Sequence, residues 1–154
     1  MVNSQPFWPD YLTAERIAKA QKVKLALTAG IGSGHVDLQA AMERRITVAE
    51  VTYCNSISVA EHVVMMILSQ VRNYLPSHEW VKRGGWNIAD CVERAYDLEG
   101  MHAGTVAAGR IGAAVLRRLK AFDVKLHYTD RHRLPADVER ELDATWHPDV
   151  ESVV

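Results

Sequence analysis

The residues with the most chemical content lie between positions 104 and 131. Glycines stand at 109 and 112, an alanine at 107, and a carboxylate, Asp130, follows Gly112 by 18 residues at the end of an apolar run. Each residue type suits one task in gripping a dinucleotide. Without a β-carbon at Gly109, the backbone can approach a pyrophosphate and offer it the N–H groups at a helix start. Gly112, one helical turn further on, lets that helix pack tightly on its strand. Asp130 is near the spacing of about 20 residues at which an acid accepts ribose hydroxyls, and it would repel a 2′-phosphate, which favours NAD over NADP. Arg131 leaves the choice open, since a guanidinium can hold that phosphate instead. Ala107 occupies the usual first glycine, so the motif reads AxGxxG. Glycines here can also do no more than turn a corner, but strand, helix and acid in register favour a nucleotide.

The elements that must position these residues are an apolar strand into Val106, an amphipathic helix running to Phe122, and a second strand over residues 124–130. That order is one β-α-β unit. Upstream, Thr13 can cap a helix over residues 14–20, and residues 23–28 form a β-branched, apolar run typical of a buried parallel strand. The loop Ala29-Gly30-Ile31-Gly32-Ser33-Gly34 looks like a second dinucleotide turn. His35 takes its third glycine position, and Glu50 lies inside the next run, residues 46–51. It therefore reads as a strand-to-helix turn of a smaller α/β unit, able to bind an anion at a helix start or simply to form a corner. Ser58 and Glu61 match a capping box opening a helix through Val71. That helix is apolar on almost every side and should be buried, either inside a large domain or against another subunit, with Met65 and Met66 filling core. His62 on it reads as a packed or surface histidine. Residues 73–100, broken at Gly84-Gly85-Trp86-Asn87, read as a connector with helical patches and a possible subunit contact. A helix over 136–142 and one further strand at 144–147 close the pattern.

Composition narrows the function classes. At 154 residues the chain is one domain or parts of two, and its net charge of −1, with charges mixed along it, favours neither nucleic acid nor an anionic membrane. Cys54 and Cys91 give no disulfide framework and no metal-ligand spacing, which suits a cytoplasmic setting. The longest apolar run, residues 63–68, is too short to cross a bilayer. The early stretch Gln5-Pro6-Phe7-Trp8-Pro9 reads as a loop rather than a signal peptide.

Four blocks carry a family resemblance: Gln5-Pro6-Phe7-Trp8, residues 27–33, residues 51–62 with Tyr53-Cys54-Asn55-Ser56, and residues 106–112 with His127-Tyr128-Thr129-Asp130-Arg131-His132. Together they resemble the NAD-dependent formate dehydrogenases of the D-2-hydroxyacid dehydrogenase superfamily, over essentially the whole chain. Ala107 is itself the formate enzymes' usual departure from the superfamily glycine. The resemblance implies an α/β fold in two lobes. Residues 1–55 would be part of a flavodoxin-like substrate lobe, and residues 56–154 the N-terminal part of a Rossmann-like NAD-binding lobe, with the site in the cleft between them.

It also implies roles. Asn55 would donate its amide to one formate oxygen, and the Ile31 N–H would hold formate as well. Pro6 and Phe7 would wall the pocket. Ser56, Arg110 and Ile111 would contact the cofactor phosphates beside Ala107, Gly109 and Gly112, with Asp130 at the adenosine ribose and Arg131 after it. Gly34 stands where the formate enzymes usually carry an aspartate. Family members begin before the position of Met1 and continue past Val154 to an arginine and a histidine at the formate site, so these 154 residues are expected to hold only part of it. Family members are homodimers. The alternatives are a non-catalytic nucleotide-binding or dimerisation fragment, and a sister 2-hydroxyacid dehydrogenase, which Asn55 in its Tyr-Cys-Asn-Ser setting argues against.

Overall fold

The computed structural model describes residues 2–4, 11–86 and 88–153. It divides into two compact units, Met1–Asn55 and Ser56–Val154.

The first unit holds a parallel sheet in the order β1-β2-β3, from strands β1 (Val2–Ser4), β2 (Leu25–Thr28) and β3 (Thr47–Glu50). Helix α1 (Ala14–Lys19) links β1 to β2, and α2 (Leu38–Glu43) links β2 to β3. Both helices start where short polar side chains can cap them. Thr13 Oγ1 accepts from the Arg16 N–H, and Asp37 Oδ1 accepts from the Ala40 N–H at 2.9 Å. Ile17, Ala26, Ala41 and Ile46 meet in the core beneath the strands.

Of the two readings of the 30–34 turn, the helix-start one is not met: residues 30–34 do not lead directly into a helix, because Val36 forms a parallel bridge with Leu12, Asp37 then caps α2, and His35 is buried between them. The turn therefore lacks a helix dipole behind it. Its Gly32 N–H donates to the Glu50 carboxylate at 3.0 Å, so the acid that looked misplaced in sequence serves the turn itself.

The second unit repeats the plan with longer parts. Strands β4 (His102–Val106), β5 (Lys125–Thr129) and β6 (Ala144–His147) form a parallel sheet in the order β4-β5-β6. Before them come α3 (Ser56–Val71), α4 (Tyr74–Lys82) and α5 (Ile88–Val92); between them run α6 (Arg110–Leu119), extended by a 3-10 turn over Lys120–Phe122, and α7 (Ala136–Leu142). Helix α6 buries Ala114, Val115, Leu116 and Leu119 on one face, against Leu126 and Tyr128 of β5. Each fully buried Val or Leu side chain contributes roughly 1.5–3 kcal/mol, so this face fixes the helix that begins at the glycine turn.

Helix α3 corrects one expectation and leaves one face open within its own unit. It begins at Ser56, so Ser58 and Glu61 lie within its first turns and form no capping box; Glu61 instead pairs with Arg118 of α6 at 3.1 Å. Nor is it buried all round. Ala60 and Val64 enter the core, whereas Ile57, Met65 and Met66 are about half exposed, and His62 is exposed. Within this unit α3 packs against α6 and α4 on part of its surface, and the rest is the face that its apolar composition offers to another subunit. No described helix is long and apolar enough to cross a membrane.

Candidate functional site

The carboxyl end of the second sheet carries the site. Strand β4 delivers Val106 to a turn whose next three residues are Ala107, Ala108 and Gly109, the residue preceding α6. Ala107 turns the chain with φ of 80°, the left-handed region in which a β-carbon costs energy. Its N–H donates to the Thr129 carbonyl at 2.8 Å, which ties the turn to the end of β5. Gly109 has no atom within 4 Å of where a β-carbon would stand, so its backbone faces open space at the helix start. Gly112 is the opposite case. A β-carbon there would sit 2.2 Å from the Ala107 carbonyl oxygen, which is why α6 can lie so close to the turn only with glycine at that position.

Asp130 follows β5 directly and faces this turn. Its Oδ2 accepts from the Ala108 N–H at 2.8 Å and its Oδ1 from the His132 N–H at 3.2 Å. Those two backbone donors, the Ala108 N–H first, hold the carboxyl below the ordinary aspartate range, so it stays ionised. Ala107, Gly109, Asp130 and Arg131 line one open cleft of about 520 Å³, together with Pro148, Asp149 and Val150 after β6. That volume is within the usual range for small-molecule and cofactor sites, about 300–1,000 Å³.

The other expected residues are placed as follows. Arg110 and Ile111 open α6, the first exposed and the second half-buried. Ser56 opens α3, is 6% exposed, and its Oγ has no partner among the described residues. A buried hydroxyl without a partner is costly, and a phosphate oxygen is a group that would satisfy it. In the first unit Ile31 is about half exposed, and Asn55 is exposed after Tyr53, a non-glycine residue held at φ of 74°. Pro6 and Phe7 lie outside the described residues.

Residues 148–150 were not read from sequence as part of this cleft, and no motif marks them; only the path of the chain out of β6 brings them there. Among the described residues, no group of three His, Cys, Asp or Glu side chains could hold a metal ion.

A family model described as "D-isomer specific 2-hydroxyacid dehydrogenase, NAD binding domain" matches residues 64–154, more than half of the chain and all of the turn, helix and acid just described. The chain belongs to the D-isomer specific 2-hydroxyacid dehydrogenase family. Within that family it is 80% identical over 147 residues to a formate dehydrogenase of Pseudomonas sp. (strain 101), covering 96% of this chain and 37% of that protein. Its structure is similar to a formate dehydrogenase of Granulicella m., with TM-score 0.91 and 71% identity over 99% of this chain and 41% of the other. It is also similar to the NAD-dependent formate dehydrogenase of Staphylococcus aureus solved with NAD, with TM-score 0.82 and 41% identity over 99% of this chain and 45% of the other. The chain thus spans less than half the length of these relatives. A cleft with an ionised acid at one end and bare backbone at the start of α6 fits the NAD binding that the dehydrogenase family is described by.

Proposed function

We propose that this chain is the cofactor-gripping part, with a portion of the substrate lobe, of an NAD-dependent formate dehydrogenase. The observation that carries the reading is that Gly109 and Asp130 line one cleft while the Asp130 carboxylate is held to the turn through the Ala108 N–H. Both carboxylate oxygens are anchored by backbone N–H groups, each keeps a further lone pair, and the group remains charged, which suits an acceptor for ribose hydroxyls and opposes a 2′-phosphate. The high identity to formate dehydrogenases supports the substrate.

In this reading residues 1–55 belong to the substrate lobe and residues 56–154 to the NAD-binding lobe. Asp130 orients the adenosine ribose, with Arg131 beside it. Ala107, Gly109, Arg110, Ile111 and Gly112 shape the pyrophosphate seat, and Ser56 offers there a hydroxyl with no partner among the described residues. Asn55 and the Ile31 N–H hold formate by its oxygens, with Pro6 and Phe7 as apolar wall. Bound NAD supplies the acceptor for a hydride. The C–H bond of formate breaks with both electrons leaving as hydride, and carbon dioxide remains, so no side chain has to move a proton. Residues that fix distance and angle and exclude water therefore carry the catalysis. A cytoplasmic homodimer belongs to the same reading.

Two titrations test it. Quenching of the chain's tryptophans by added NAD should saturate. Formate added to that mixture should give no NADH absorbance from these 154 residues alone, which span less than half the length of the formate dehydrogenases they match. Absence of NAD binding would defeat the proposal, and robust turnover would defeat the division of labour. A nucleotide-binding module without catalysis in any longer form is the second reading; formate-dependent NADH from a chain extended to the relatives' length excludes it.

A further inference from the structure

We propose that Tyr128, Glu139 and Arg133 form a brace that positions the 130–134 loop, and so set both the grip on the adenosine half of the cofactor and its discrimination against a 2′-phosphate. The proposal deepens the NAD reading above and rests on it. Tyr128 is fully buried in β5, one residue from the strand end and two before Asp130. Its hydroxyl accepts from the Leu134 N–H at 2.9 Å and donates to a Glu139 carboxylate oxygen. Glu139 projects from α7 with its side chain only 13% exposed, and it receives Arg133 in a two-pronged contact, Nε at 2.8 Å and Nη2 at 2.9 Å. The Arg133 guanidinium in turn lies over the Trp146 ring of β6, 5.5 Å from its centre.

The loop is thus fastened at both ends. Asp130 is tied to the glycine turn, and residues 133 and 134 are tied to β5, α7 and β6. Helix α7 does not need this network to dock, because Val138 and Leu142 already seat it on the apolar core. A carboxylate so withdrawn from water is unfavourable unless matched by charge and hydrogen bonds. What the matched group secures is the short polar loop that bears the ribose acid and Arg131. None of the three residues lines the cleft, so they are positioning residues. Releasing them would let the 131–134 backbone wander, and Asp130 would lose its fixed approach to the ribose.

Calorimetric titration of the whole chain with ADP-ribose and with its 2′-phosphate tests this. Tyr128→Phe and Glu139→Gln should each weaken ADP-ribose about tenfold, the scale of one charge-assisted hydrogen bond, and weaken the 2′-phosphate analogue much less, so the ratio of the two affinities contracts. Arg133→Lys, at a side chain 61% exposed and thus safe for folding, should contract the ratio in the same direction by losing the two-pronged contact. A general loosening of the fold would weaken both ligands alike. An unchanged ratio in the folded variants overturns the brace, and Arg133→Lys decides the matter should either buried variant fail to fold. Failure of the unaltered chain to bind ADP-ribose would instead overturn the nucleotide reading beneath it.

Discussion

Ala107 keeps a β-carbon where the backbone favours none, and Gly112 lacks one where none would fit. Left-handed geometry costs a non-glycine residue roughly 1–2 kcal/mol, while glycine adds about 0.4–1 kcal/mol of chain entropy to the unfolded state. The first term is the larger, so Ala107→Gly should stabilise the chain slightly, by about 1 kcal/mol or less, read as a small rise in thermal midpoint. Gly112→Ala should act the other way. Its methyl would have to occupy the place of the Ala107 carbonyl oxygen, 2.2 Å away, and α6 would have to lift off the turn. Overpacking of that kind costs about 1–3 kcal/mol, so its chemical unfolding midpoint should fall clearly below that of the unaltered chain. Both outcomes were foreshadowed by residue type alone: the AxGxxG spacing told where small residues were needed. It did not tell that Asp130 would bond to Ala108, because that depends on where β5 ends against the turn.

The sheet of the second unit contains a row that periodicity does not reveal. His102, His127 and His147 stand on β4, β5 and β6, with His127 Nε2 2.8 Å from His102 Nδ1 and His127 Nδ1 2.9 Å from His147 Nε2. Burial first, then His102, His147 and Lys125, hold His127 below the ordinary histidine range. The unfolded chain takes up a proton on this residue near pH 6.5, whereas the folded chain resists until lower pH. Between those two values the unfolded state binds more protons, so this contribution to stability is complete above about pH 6.5 and is lost as pH falls toward the folded value. Thermal midpoints measured from about pH 7.5 to about pH 5.5 should therefore decline, and His127→Gln should flatten the decline. The β-α-β elements themselves were legible, down to the helix Ala136–Leu142 and the strand Ala144–His147. Less legible were β1, too short at Val2–Ser4 to show alternation, and the start of α3, where Ser58 and Glu61 imitate a cap inside the helix.

Across the whole molecule, two parallel three-stranded sheets follow from the same device, an apolar strand paired with an amphipathic helix, used twice in each unit. The turn at 30–34 shows the limit of reading by motif. Its glycines match a nucleotide loop, yet the bridge Leu12–Val36 and the Glu50 carboxylate make it a different object. Both turns have open glycine backbone and an acid at the end of the next strand, but the turn at 107–112 leads directly into a helix, α6, and that combination is what distinguishes a cofactor seat from a corner.

The most direct test of that seat is the affinity of the chain for NAD and NADP before and after Asp130→Asn. The substitution keeps the size of the side chain and its contact to the Ala108 N–H while removing the charge. NAD binding should weaken by about tenfold or more, and the preference for NAD over NADP should disappear. Equal affinities for both cofactors in the two proteins would contradict it.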